Sequence, residues 1–132
     1  MSVFVDTSAL LAVLDADDKN HKSAREAWKD LISRDELLVC TNYVLIETFA
    51  LVQHRLGMKA VRTFQDDIYP VLSVEWVDEY THRAGVTGVL TAMRKNLSLV
   101  DCVSFDVMRR LGIKSAFVLD THFKEQGFSC IP

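Results

Sequence analysis

Apolar residues fall in short blocks separated by longer helical stripes. Residues 3–5 form an apolar block of strand type that stops at Asp6. Residues 7–14 read as a helix, broken by the polar run from Asp15 to Asn20. Residues 21–33 are helical, with Ala24, Ala27, Trp28 and Leu31 on one face. A second strand is expected at 37–40, followed by an apolar helix over 42–56 that Gly57 stops. Residues 59–68 predict a further helix closed by Pro70, and 71–74 a third strand. Residues 78–93 are helical with Asp78 as N-cap, and 99–111 form another helix closed by Gly112. Strands are expected at 116–119 and 128–131, with a short helix starting near Thr121 between them.

Strands alternating with helices predict an α/β fold with a central, mainly parallel sheet of about five strands flanked by helices. The 132 residues suit one domain, residues 1–132, with a core of its own. In such sheets ligands bind beyond the carboxyl ends of the strands. Asp6 and Asp120 are both expected there, each after an apolar run.

Composition narrows the class. Hydrophobic residues make up 49% and charged residues 25%, a globular mix. No apolar run is long enough to span a bilayer, and the opening residues lack a basic segment, so neither a membrane span nor a signal peptide is expected. Cys40, Cys102 and Cys130 are odd in number and lack zinc spacing, which points to free thiols in a reducing cytoplasm. The net charge of −3 runs against nucleic-acid binding unless charge is locally sorted, with carboxylates gathered around a cation.

Four carboxylates stand out. Asp6 lies between strand and helix, where it serves equally as an N-cap or as a site residue. Glu47 has Tyr43, Val44, Ala50 and Leu51 as helical neighbours, so it sits on a half-buried stripe with no nearby Lys or Arg. A carboxylate there needs a cation, from a metal or from a distant basic side chain. Asp101 follows Ser98 by three residues, close to a capping box. Asp120 ends an apolar run and reads as a cap or a functional group. Asp106 and Arg110 read as a surface ion pair. His21, His54, His82 and His122 lack zinc spacing, although His54 shares a helical face with Glu47. Arg94, Lys95, Arg109, Arg110 and Lys114 are candidate phosphate contacts. No glycine-rich phosphate loop and no marked Ser, Cys or Lys nucleophile is present. Hard cations such as Mg²⁺ and Mn²⁺ prefer the oxygen donors that four carboxylates offer.

The segments around these residues resemble a known family. Val5-Asp6-Thr7-Ser8-Ala9-Leu10-Leu11 is similar to the first motif of PIN-domain ribonucleases of the VapC toxin type. The segment from Thr41 to Thr48 resembles that family's glutamate segment, and the one from Leu97 to Phe105 resembles its third motif. Leu119-Asp120-Thr121-His122-Phe123, followed by Gly127-Phe128, resembles its close. The resemblance implies a PIN fold and Mg²⁺- or Mn²⁺-dependent hydrolysis of RNA phosphodiesters, with Asp6, Glu47, Asp101 and Asp120 as the catalytic and metal-binding set. It further implies that Thr7 or Ser8 positions a ligand or water, and that the chain is the toxin of a toxin–antitoxin pair, with a cognate antitoxin and a homodimeric state. His122 stands where many members carry a further Asp, and Thr121 where a basic residue is common. An RNA-processing nuclease outside such a pair and a PIN module that binds RNA without cutting it are the alternatives. A receiver domain would need an acidic pair after the first strand and a late lysine, and Thr7 and Thr121 occupy those places. A haloacid dehalogenase-type phosphatase would need Asp where Ser8 stands.

Overall fold

The computed structural model describes residues 1–132. Five strands form one parallel sheet: β1 (Ser2–Val5), β2 (Leu37–Thr41), β3 (Leu72–Glu75), β4 (Ser115–Phe117) and β5 (Ser129–Ile131). Their spatial order is β3-β2-β1-β4-β5. The chain builds outward from β1 to β3, then crosses back to lay β4 on the other side of β1. The first strand is thus central, and the crevice between β1 and β4 is the switch point where α/β sheets place their ligands.

Seven helices flank the sheet: α1 (Thr7–Leu14), α2 (His21–Ser33), α3 (Asn42–Leu56), α4 (Met58–Thr63), α5 (Glu79–Ala92), α6 (Leu99–Leu111) and α7 (His122–Glu125). The predicted spans of α1, α2, α3 and α6 coincide with the observed ones. Their ends are set by local chemistry. Asp6, Thr41, Asp78 and Ser98 accept backbone N–H groups at the starts of α1, α3, α5 and α6, and Gly57 and Gly112 end α3 and α6 at positive φ.

Three expectations are corrected. The helix expected over 59–68 stops at Thr63 and continues as a π turn (Phe64–Ile68) and a 3₁₀ turn (Tyr69–Val71). Pro70 lacks the N–H that an α-helical turn there would use, while the wide turn keeps Phe64 and Ile68 buried. The strand expected over 116–119 pairs only through Phe117. Beyond it Val118 N–H donates to the Ile131 carbonyl and Leu119 N–H to Ser8 Oγ, so Asp120 sits on a pinned loop and not at the strand end. Arg110 pairs with Glu75, the last residue of β3, at 3.6 Å and not with Asp106 one turn away on its own helix.

The core runs through both faces of the sheet. Phe4, Val5, Ala116 and Phe117 are fully buried, as are Leu10, Leu31, Val103, Met108 and Phe123 from the helices. Each fully buried apolar side chain of this size contributes roughly 1.5–3 kcal/mol. Cys40 and Cys102 are buried free thiols, and burial pushes the Cys40 thiol up to about 12. Tyr43 on α3 hydrogen-bonds His82 on α5.

The tightest helix contact is between α5 and α6. A Cβ placed on Gly85 would stand 2.5 Å from Cγ2 of the buried Val103 and 3.1 Å from Leu99 Cδ1. Gly85→Ala should therefore lower stability by about 1–3 kcal/mol through overpacking, despite the better helix propensity of alanine. Urea unfolding of the two proteins measures this, and an unchanged or raised midpoint would show that α5 and α6 separate freely.

Candidate metal centre

Each carboxylate reaches the switch-point crevice from a different element. Asp6 immediately follows β1 and is buried. Its Oδ2 accepts Ser8 N–H at 3.1 Å and the Ser8 hydroxyl at 2.7 Å. That hydroxyl in turn accepts Leu119 N–H at 3.0 Å, which ties the β1 loop to the β4 loop. Asp101 lies in the first turn of α6 within a reciprocal capping box. Ser98 N–H donates to its Oδ2 at 3.2 Å, and Asp101 N–H donates to Ser98 Oγ at 3.0 Å. Asp120 accepts His122 N–H on Oδ1 at 3.0 Å.

All three carboxylates are therefore helix or turn caps, as their local patterns suggested. They also converge: Asp6, Asp101 and Asp120 each offer an oxygen within 4.8 Å of the others. Because one oxygen of each accepts a backbone N–H, the second oxygen of each is left for a ligand. Glu47, on α3, lines the same cavity of about 330 Å³ but stands outside the tight triad.

The electrostatics match that crowding. Burial drives the Asp6 carboxyl up to about 7 against its two Ser8 hydrogen bonds, and repulsion from Asp120 and Asp101 adds to the rise. Burial also raises Glu47, opposed by the Thr7 hydroxyl and assisted by Asp101 and Asp120. Asp120 rises through burial and then through the nearby Asp101. No Lys or Arg pairs with any of the four. A cluster of oxygen donors, negatively charged and without a cation of its own, has the donor chemistry of a hard divalent-cation site.

Around the carboxylates, Thr7 is held inside the fold, accepting from the Thr48 hydroxyl at 2.9 Å and donating to the Val44 carbonyl at 3.4 Å. His122 lines the cavity, with Nδ1 3.4 Å from Asp101 Oδ2. Asn96, from the loop before α6, lines it too, and no helical or strand periodicity marks that residue. His54 is exposed and lines neither this cavity nor the adjoining one. Three of the five candidate phosphate contacts are engaged elsewhere. Arg94 pairs with Glu125 at 2.9 Å, Arg110 with Glu75, and Arg109 donates to Gln126 beside the Phe105 and Phe128 rings.

The PIN domain family matches residues 3–129. The chain belongs to the PIN-domain family. It is 32% identical over 127 residues to the 23S rRNA-specific endonuclease VapC20 of Mycobacterium tuberculosis, a match covering 96% of this chain and 95% of the relative. The crystal structure of that protein, described as a sarcin–ricin loop cleaving toxin, superposes with a TM-score of 0.85 over 96% of each chain. FitAcB from Neisseria gonorrhoeae shares the fold at a TM-score of 0.70 and 14% identity, covering 98% of this chain and 96% of that one. This PIN domain is thus a homologue of VapC-type endonucleases.

Asp6 sets a pH window for the PIN fold. Its carboxyl has an ordinary value of 3.8 and a folded value of about 7. Between those values the folded chain binds more protons than the unfolded chain. Asp6 thus favours folding most at the acid end, and that contribution is lost as pH rises through the folded value. Metal-free protein should melt several degrees lower at about pH 8 than at about pH 5.5, and a divalent cation should restore the loss. Asp6→Asn keeps the cap and removes the charge, so it should raise the melting temperature of the metal-free protein at about pH 8 and blunt the response to cation. Thermal melts in chelator and in Mg²⁺ measure both. If Asp6→Asn is less stable than wild type in chelator and gains equally from Mg²⁺, Asp6 is a cap alone.

Proposed function

We propose that this chain is a Mg²⁺- or Mn²⁺-dependent endoribonuclease acting as the toxin of a toxin–antitoxin pair. The observation that carries the reading is the convergence of Asp6, Asp101 and Asp120 oxygens within 4.8 Å, with Glu47 in the same cavity. In this reading Asp6, Glu47, Asp101 and Asp120 are the catalytic and metal-binding residues. The likeness to a 23S rRNA-specific endonuclease described as cleaving the sarcin–ricin loop favours a ribosomal RNA stem-loop as substrate. A non-cutting RNA-binding module is disfavoured, since it has no use for four ligand-type carboxylates.

The residues divide the work. Asp6, Asp101 and Asp120 would hold the ion through the oxygens their caps leave over, and Glu47 stands at the flank to orient a water or a further ligand. When bound, the cation supplies Lewis-acid charge for the scissile phosphate and lowers the pKa of a water. Ser8 keeps Asp6 and the Asp120 loop at fixed separation, so the donors are preorganised before substrate arrives. His122 and Asn96 line the approach to the triad and offer hydrogen bonds to a bound strand.

A single domain over residues 1–132, a cytoplasmic location and a protein antitoxin accompany this reading. No helix is long and apolar enough to cross a membrane. A homodimer is supported by the family resemblance and by apolar side chains left exposed on α3 and α4, namely Ile46, Phe49 and Met58. Light scattering should give twice the chain mass at micromolar concentration, and a monomer there would overturn the dimer.

The activity test uses an RNA stem-loop of the sarcin–ricin type. Cleavage should need Mg²⁺ or Mn²⁺ and cease with chelator, and cutting that survives chelation would exclude the mechanism. Asp101→Asn should cut at least ~100-fold more slowly, since it removes a charged donor, while melting close to wild type because the amide oxygen can still cap Ser98. Undiminished cleavage by this variant would reduce Asp101 to a cap.

A further inference from the structure

A second cavity, of about 310 Å³, adjoins the metal centre. Ser8, Leu11 and Asp120 line both, so the two form one continuous groove. The far end is walled by Leu56 and Leu119 and carries one cation, Arg55, in the last turn of α3. Glu47, Leu51 and Arg55 are spaced four residues apart along α3, and Leu51 lines the first cavity. Arg55 thus lies roughly 12 Å along the helix axis from Glu47. That places it too far to grip a phosphate held at the triad and in reach of a neighbouring one.

Arg55 is also unpaired. The ion pairs of the molecule take Arg34, Arg83, Arg94 and Arg110, and Arg55 is in none of them. Asp15 and Asp18 line the same cavity, yet each commits an oxygen to its own loop. Asp15 Oδ1 accepts Asp17 N–H at 3.0 Å, and Asp18 Oδ1 accepts Asn20 N–H at 2.7 Å. A guanidinium presents a planar fork of donors that matches phosphate oxygens, and here nothing in the protein occupies it.

We infer that Arg55 binds a phosphate of the RNA strand flanking the scissile one, so that the Arg55 cavity is a substrate subsite in line with the metal centre. The flanking sugar lies against Leu11, Leu56 and Leu119. The subsite rests on the ribonuclease reading. It also explains how a chain of net charge −3 holds a polyanion: one unpaired arginine sits at the end of the groove, while Arg94 and Arg110 are paired with carboxylates.

The test is binding of a fluorescein-labelled sarcin–ricin-type stem-loop by anisotropy, across a salt titration in Mg²⁺. All proteins carry Asp101→Asn, so that the probe survives. Adding Arg55→Ala should weaken binding about 10-fold and reduce the slope of log affinity against log salt by about one. Arg55→Lys should recover the slope and part of the affinity. Arg83→Ala, which removes a cation paired with Glu79 on exposed α5, should change neither. An unchanged slope with Arg55→Ala overturns the subsite, and a lowered melting temperature alongside it would make Arg55 a counter-ion for Asp15 and Asp18. Failure of the parent protein to bind RNA at all, together with wild type failing to cleave, overturns the ribonuclease reading itself and the subsite with it.

Discussion

Three carboxylates do not gather within 4.8 Å of one another by mutual attraction. Coulomb repulsion and desolvation both oppose it, and the raised Asp6 and Asp120 carboxyls register the opposition. What holds the cluster is the backbone. Each carboxylate accepts an N–H from its own turn: Ser8 for Asp6, Ser98 for Asp101 and His122 for Asp120. Capping and ligand binding compete as explanations of an isolated Asp, yet a carboxylate has two oxygens and a cap engages only one of them. The same bonds that start α1 and α6 fix the Asp6 and Asp101 carboxylates, so the placement of those helices and the geometry of the cluster are coupled.

That double use explains what the sequence made legible. Caps carry local signatures, so α1, α3 and α6 are legible to their ends, α2 is bounded instead by the polar run before it, and the spacing of Ser98 and Asp101 is close to that of a capping box. Asp6, Glu47, Asp101 and Asp120 stand out from their local patterns, and the family resemblance adds the metal-binding role that those patterns leave open beside capping. Features that depend on distant partners were not readable. Arg110 turned to Glu75 across the fold instead of to Asp106 one turn away. The β4 ladder ended early because Ser8 captured Leu119 N–H, a bond spanning 111 residues of sequence. Asn96 joins the groove from a loop that no periodicity marks, whereas Arg55 shares the Glu47 stripe of α3 at a spacing of eight residues, and only the fold shows that this end of the stripe meets the groove.

Charge shows the same contrast between local and global reading. A net charge of −3 argues against a nucleic-acid partner when spread evenly over the surface. In the folded molecule four of the 18 acidic residues, Asp6, Glu47, Asp101 and Asp120, surround one cavity, and Arg94 and Arg110 are each set against a carboxylate. A divalent cation held at the cavity would reverse part of that local field. The sign of the whole chain is therefore a poor guide to the sign met by a ligand at the crevice.

The strand order has a consequence for synthesis. β1 is the first of the five strands to be made yet lies at the centre of the sheet, and its second neighbour, β4, is made only after β2 and β3. A nascent chain can pair β1 with β2, and β2 with β3, while the other edge of β1 stays open. Until Ser115–Phe117 docks along that edge, Ser8 has no Leu119 N–H to hold and the cluster has no Asp120. Asp6 and Glu47 are made early, but the carboxylate cluster closes only once β4 and the loop that follows it have been made. A chain cut short before β4 would thus lack both Asp120 and one wall of this crevice.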